Sequence, residues 1–151
     1  PVLDVGAGTG LVGYALAKLG LQSIDAIDLS RAMLDVASKK GIYRNLFAAD
    51  ITKPIEMVGE TYQGIISSGT FTRGHVGPGG IDYLLPLAQT GAYLVLAINK
   101  IHWAEKGFSE KFEALAGSIS KPVMCDIEIY GKNSKGGHSR DIGIAVIFQK
   151  L

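Results

Sequence analysis

Asp4-Val5-Gly6-Ala7-Gly8-Thr9-Gly10 is the stretch that decides the fold, because it joins an apolar strand tail, Pro1 to Val5, to a segment of helical spacing. Three glycines at alternate positions let the backbone turn sharply and approach a ligand with no Cβ in the way. A tight strand-to-helix turn that binds nothing is the plain alternative, but packing alone rarely asks for that glycine pattern. Outward from the loop, strand-like and helix-like stretches alternate, the signature of βαβ units on a mainly parallel sheet. Leu11, Ala15, Leu16 and Leu19 give a helix that Gly20 stops, and Ser23 to Asp28 reads as the second strand. Ser30 is the expected N-cap of a helix running to Lys40, ended by Gly41. Tyr43 to Ala49 and Tyr62 to Ser68 read as strands three and four. A helix over Gly80 to Gln89, a fifth strand over Ala92 to Asn99 and a helix over Phe108 to Ala116 follow. Val123 to Tyr130 and Ile142 to Lys150 flank a polar run, Gly131 to Asp141, too short for a crossover helix, so they are expected to pair as an antiparallel hairpin.

The residues around the loop narrow the ligand. A nicotinamide fingerprint wants a sixth-position glycine, and Leu11 stands there instead. Asp4, two residues before the first glycine, would repel a pyrophosphate but suits the ammonium end of a methionine moiety. No Gly-Lys-Ser/Thr run is present for a nucleoside triphosphate. Asp28 ends the second strand roughly 20 residues beyond the loop, the position from which a carboxylate binds ribose hydroxyls; taken without the loop, a turn or cap Asp is the alternative. Asp50, in Ala48-Ala49-Asp50-Ile51, is a candidate acceptor for an adenine amino group while Ile51 packs the ring; a loop-starting Asp is the alternative.

The set Asp4 to Gly10, Asp28-Leu29-Ser30 with Met33-Leu34, and Asp50-Ile51 resembles the class I S-adenosylmethionine-dependent methyltransferases. A more specific stretch, Ser67-Ser68-Gly69-Thr70-Phe71-Thr72-Arg73-Gly74-His75-Val76-Gly77-Pro78, resembles the methyltransferase-like family encoded in the Williams–Beuren chromosomal region. The resemblance implies a Rossmann-like, doubly wound α/β domain over residues 1–151, with a mostly parallel seven-stranded sheet and a C-terminal antiparallel hairpin. It implies S-adenosylmethionine as cofactor, with Asp4, Gly6, Ala7, Gly8 and Gly10 at its methionine part. Asp28 would take the ribose, Leu29, Met33, Asp50 and Ile51 the adenine, and Ser68 would lie near the transferred methyl. The chain opens at Pro1, inside the first strand and without a methionine, so it is expected to be a fragment. The family's N-terminal helices, which cover the cofactor and shape the acceptor pocket, would then be missing. Gln63 and Thr90-Gly91-Ala92 depart from the family's usual Asp before strand four and Pro-Gly-Gly before strand five.

Composition bounds the function. The chain has 151 residues, 47% hydrophobic and 19% charged, as expected of one globular domain. Fifteen basic against 14 acidic residues give a net charge of +1, without the basic excess of nucleic-acid binders. The longest apolar stretch, Ala92 to Ile98, is far short of the ~20 residues that span a bilayer, so no membrane partner is expected. One cysteine, Cys125, fits a reducing, cytoplasmic location. His75, His102 and His138 lack metal-ligand spacing, so no metal is expected. Ser67-Ser68-Gly69-Thr70 replaces the Asn/Asp-Pro-Pro-aromatic motif of amino-directed nucleic-acid methyltransferases, and no Pro-Cys nucleophile stands there, which favours a small-molecule acceptor. His75, in the loop after strand four, is the candidate base should the acceptor lose a proton; a histidine bonded to a backbone carbonyl is the alternative. Thr72 and Arg73 are weaker candidates for orienting the acceptor. Tyr62 and Phe71 read as core or pocket wall, and His102 with Trp103 as a loop packing cluster. Lys132, Lys135, His138 and Arg140 read as a solvated hairpin tip. Two rival functions are a catalytically silent cofactor-binding module and an NAD(P)-dependent oxidoreductase.

Overall fold

The computed structural model describes residues 1–56, 61–128 and 142–151. The run Gly131 to Asp141, with Lys132, Lys135, His138 and Arg140, lies outside the described residues, as do the last two residues of the strand expected to reach Tyr130. Strands β1 (Val2–Val5), β2 (Ile24–Asp28), β3 (Tyr43–Ala48), β4 (Tyr62–Phe71), β5 (Ala88–Asn99), β6 (Val123–Glu128) and β7 (Ile142–Gln149) form one sheet in the order β3-β2-β1-β4-β5-β7-β6. β1 to β5 run parallel, and β7 runs antiparallel to both β5 and β6. The seven-stranded Rossmann-like sheet with its closing antiparallel strands is therefore the one expected. β1 sits between β2 and β4 with layers on both faces, which is why residues on both faces of β1 and β2 are buried, Asp4 and Asp25 among them.

Helices α1 (Leu11–Lys18), α2 (Arg31–Ser38), α3 (Gly80–Leu84), α4 (Lys100–Lys106) and α5 (Phe108–Ala114) cover the sheet. On one face the large core gathers Leu3, Val5, Ile27, Ile65, Leu94, Leu96 and Ile98 against Phe108 and Phe112. On the other a small cluster, Ala7, Ala26 and Leu34, packs with Tyr43 and Leu46. Ser30 caps α2 as expected, its hydroxyl accepting from the Met33 amide at 3.3 Å.

Four local expectations need correction. Helix α1 does not bury the Leu11–Leu19 stripe: Leu11 and Leu19 are 71% and 80% exposed, and Gly13 is the residue set into the protein. Helix α3 stops at Leu84, a 3-10 turn takes Leu85–Leu87, and β5 starts at Ala88 rather than Ala92. Pro86 explains the early stop, because it has no amide to donate and disfavours helical geometry before it. Strand β4 continues past Ser68 to Phe71 through a register shift against β5, with Gly69 at φ 83°. His102 and Trp103 lie on helix α4, not in a loop; the Asn99 side chain caps that helix by accepting from the Ile101 and His102 amides at 3.0 and 3.1 Å.

Candidate cofactor-binding site

The sheet reverses its winding at β1: β2 and β3 lie to one side, β4 and β5 to the other. Open α/β sheets bind ligands in the crevice outside the carboxyl ends of their strands at such a reversal. A cavity of about 660 Å³ opens there, within the roughly 300–1,000 Å³ usual for ligand pockets. Gly6 and Gly8 reach it from the end of β1, and Asp28, Leu29, Ser30 and Met33 from the end of β2 and the start of α2. Ala49 to Thr52 follow β3, and Gly69, Thr70, Gly74, His75 and Val76 come from β4 and its loop. The cavity thus gathers eight sequence-selected residues: Gly6, Gly8, Asp28, Leu29, Met33, Asp50, Ile51 and His75. Asp4, Ala7, Gly10 and Ser68 do not reach its wall.

The glycines do different work. Gly6, Gly8 and Gly10 all have positive φ, at 67°, 54° and 85°. Nothing stands within 4 Å of where a Gly8 Cβ would be, so that residue leaves its backbone open. A Cβ at Gly6 would overlap the Thr70 hydroxyl, which donates to the Val5 carbonyl at 3.2 Å and closes the floor of the cavity. A Cβ at Gly10 would press on the Tyr43 ring, and one at Gly13 would overlap it. Two glycines of this segment therefore admit an aromatic side chain from β3.

Asp28 holds the loop open from the facing strand. Its Oδ2 accepts from the Gly8 amide and its Oδ1 from the Ser30 amide, both at 2.8 Å. A carboxylate offers about four lone-pair sites, so acceptor capacity is left over toward the cavity. Asp50 is half-exposed, with Oδ1 accepting from the Thr52 amide at 2.9 Å and hydroxyl at 2.6 Å, and Oδ2 3.5 Å from the Lys53 ammonium. Those Thr52 bonds, followed by the Lys53 contact, hold its carboxyl below the ordinary carboxylate range.

Asp4 is 1% exposed. Its Oδ2 accepts from the Gly13 amide at 3.0 Å and the Tyr43 hydroxyl at 2.7 Å, so it satisfies one of the orphan donors in the first turn of α1. Its Oδ1 is buried and has no hydrogen-bond partner among the described residues. Burial pushes the Asp4 carboxyl above its ordinary value; the Tyr43 and Gly13 bonds pull down and the Asp28 charge adds to the rise. Neither Tyr43 nor Thr70 stands among the candidate site residues that the sequence offers. Gly13, inside a helix where glycine costs about 1 kcal/mol, was the available signal for the first.

Beyond the cavity, His102 is buried and its Nε2 donates to the Val76 carbonyl at 2.8 Å, tying the loop that carries His75 to α4. Trp103 stacks on Phe108 and Phe112 at 5.5 Å, so this pair packs rather than lines the cavity. Tyr62 and Phe71 are both fully buried core residues. Arg73 lies 3.7 Å from Glu105. No described helix is long and apolar enough to cross a membrane.

A protein of Listeria monocytogenes described as an S-adenosylmethionine-dependent methyltransferase has this fold, with a TM-score of 0.72 at 13% identity over 99% of this chain and 90% of that one. So does a TehB-like S-adenosylmethionine-dependent methyltransferase from Corynebacterium glutamicum, at 0.68 and 20% identity over 99% and 79%. The plantazolicin methyltransferase BpumL, solved with S-adenosylhomocysteine, matches at 0.68 and 17% identity over 99% and 76%. No curated protein matches the chain by sequence. The family model that describes a methyltransferase domain matches residues 2–79, just over half of the 151 residues, and the chain belongs to that family.

Proposed function

We propose that this chain is an S-adenosylmethionine-dependent methyltransferase whose cofactor occupies the cavity at the carboxyl ends of β1 to β4. The observation that carries the reading is the meeting of Gly6, Gly8 and Asp28 with Leu29, Met33 and Ile51 on one wall. The donor set fits the ligand: a carboxylate with spare acceptor capacity for ribose hydroxyls, apolar side chains for an adenine ring, and the unpartnered Oδ1 of Asp4 for an ammonium group. Leu29 and Met33 are 73% and 46% exposed, as side chains waiting for a ring to cover them would be. Ala7 and Gly10 act from beneath the loop, by holding its shape, and Asp4 acts there both on that shape and, through Oδ1, on the ammonium. Gly6 and Gly8 take the methionine part, Asp28 the ribose, and Asp50 with Ile51 the adenine; Ser68 lies toward the acceptor side. One domain over 1–151 accounts for a sheet that draws β1 and β7 from opposite ends of the chain.

When bound, S-adenosylmethionine supplies a methyl group already activated on a positively charged sulfur. The protein's task is to hold an acceptor in line at close range, which is worth about 7–11 kcal/mol for well-oriented reactants. The β4 loop, Gly69 to Val76, forms the other side of the cavity and is fixed by the Thr70 and His102 bonds to backbone carbonyls. His75 is the one histidine among the described cavity residues and serves as base for an acceptor that must lose a proton. The acceptor is a small molecule, a reading supported by the balanced charge and by the Ser67-Ser68-Gly69-Thr70 run. That run and its continuation to Pro78 also support kinship with the Williams–Beuren-region methyltransferase-like proteins.

Incubation with methyl-labelled S-adenosylmethionine and a panel of small nucleophiles tests the activity. With the acceptor found, His75→Ala is expected to slow turnover by about 100-fold or more, the usual contribution of a positioned base. S-Adenosylhomocysteine affinity should stay within about threefold of the wild type. Unchanged turnover would remove His75 from the chemistry.

A further inference from the structure

Tyr43 packs against the small Ala7, Ala26 and Leu34 cluster and lies outside the cavity wall, yet its ring meets Gly10 and Gly13 and its hydroxyl meets Asp4. It starts β3, pairs with Ile24 at the start of β2, and sets its ring against α1 where Gly10 and Gly13 leave room. Its hydroxyl donates to Asp4 Oδ2 at 2.7 Å. A phenylalanine would fill the same notch, so the ring accounts for the glycines and the hydroxyl needs a separate account. Its partner gives one. Asp4 is a carboxylate with two oxygens buried in the same place; Oδ2 has two donors and Oδ1 has none among the described residues. A buried carboxylate oxygen without a donor costs free energy unless a ligand supplies the missing charge or hydrogen bond.

We propose that Tyr43 is a positioning residue for the amino-acid end of the cofactor: it fixes the Asp4 carboxylate by Oδ2, leaving Oδ1 as the oxygen that answers the ligand's ammonium, directly or through water. This rests on the cofactor reading above and adds to it a residue outside the cavity. Two effects follow from the geometry. The hydroxyl fixes the carboxylate's rotation, and it favours the ionised form that attracts an ammonium. The groups facing Asp4 are the Tyr43 hydroxyl from β3, the Gly13 amide from α1 and, farther off, the Asp28 carboxylate from β2. Burial raises the Asp4 carboxyl and the Tyr43 bond is the largest influence against it. The Tyr43 hydroxyl itself is pushed up by burial and by Asp4, which favours its protonated, donating form.

The test is a calorimetric titration with two ligands that differ only at the relevant end. S-Adenosylhomocysteine carries the amino-acid chain; 5′-methylthioadenosine has the same adenosine and sulfur with a methyl in its place. Tyr43→Phe is expected to weaken S-adenosylhomocysteine about tenfold, the scale of one charge-assisted hydrogen bond, and to leave methylthioadenosine within about twofold. In the variant the S-adenosylhomocysteine affinity should begin to fall at a higher pH on acidification than in the wild type. Asp4→Asn, which keeps an acceptor for Gly13 and Tyr43, should show the same selective loss, and adding Tyr43→Phe to it should change little more. Equal loss of both ligands in Tyr43→Phe, or no loss of either, would overturn the proposal and leave Tyr43 as packing. Should Tyr43→Phe fail to fold, Asp4→Asn decides, since equal affinity of that variant and the wild type for S-adenosylhomocysteine overturns it as well. A wild-type chain that binds neither ligand would instead sink the cofactor reading itself.

Discussion

Asp28→Ala is expected to weaken S-adenosylhomocysteine by about 100-fold or more while the protein stays folded. Two losses combine. The carboxylate that would accept from ribose hydroxyls disappears, and hydrogen bonds to a charged group are worth about 1.5–3 kcal/mol each. The Gly8 and Ser30 amides also lose their 2.8 Å partner, so the glycine loop loses its tie to the end of β2. Asp28→Asn should fall between wild type and alanine, because its amide keeps one acceptor oxygen but turns a donor toward one of the two backbone N–H groups. Titration calorimetry on the three proteins reads the series. Equal affinity in all three would place the ligand elsewhere.

The largest effect on stability is expected at Asp25, remote from the cavity at the other end of β2. Fully buried, it accepts from the Arg44 Nε at 3.0 Å and Nη2 at 2.7 Å, from the Asn45 amide and side chain at 3.1 Å, and from the Tyr62 hydroxyl at 2.9 Å. It therefore links β2 to β3 beside it and to β4 beyond β1. Breaking a buried ion pair by removing one partner costs about 3–5 kcal/mol. Arg44 keeps 39% exposure and can turn to water, which puts Asp25→Ala near 3 kcal/mol, or a fall of roughly 6–12 °C in Tm. The same network predicts an acid dependence. Burial alone would raise the Asp25 carboxyl, but the bonds from Arg44, Tyr62 and Asn45 and the Arg44 charge outweigh it, and the net displacement is downward. A carboxyl lowered in the folded state stabilises above its unfolded value of about 3.9 and loses that contribution as pH falls through the folded one. Urea unfolding should show the wild-type advantage over Asp25→Ala intact at pH 7 and shrinking below about pH 4. An advantage that grew on acidification would contradict this assignment.

The glycine loop and Asp28 were legible because each is written locally: a strand end, a fixed run of glycines, a carboxylate one βα unit later; the seven-stranded sheet came with the family resemblance. What escaped depended on partners far along the chain. Helix α1 reads as amphipathic through Leu11 and Leu19, but its buried face is set by Gly13 meeting Tyr43, 30 residues on. Asp4 reads as a ligand contact from its charge alone; that its Oδ2 is already taken by Gly13 and Tyr43 is a tertiary fact. Gly69 stands one residue past the expected end of β4, and here it lies in a register shift that places Thr70 on the Val5 carbonyl and against Gly6. Helix α4 gave no periodic signal in seven residues, and only the Asn99 cap announces it.

The most direct test of the central claim is titration of S-adenosylhomocysteine into the wild-type chain beside NADH, with chain stability followed in parallel. Saturable one-to-one binding of S-adenosylhomocysteine, a rise in Tm with its concentration and no response to NADH are the predicted results. Stabilisation by NADH with none by S-adenosylhomocysteine would contradict it, and would assign the Gly6–Gly10 loop to a dinucleotide.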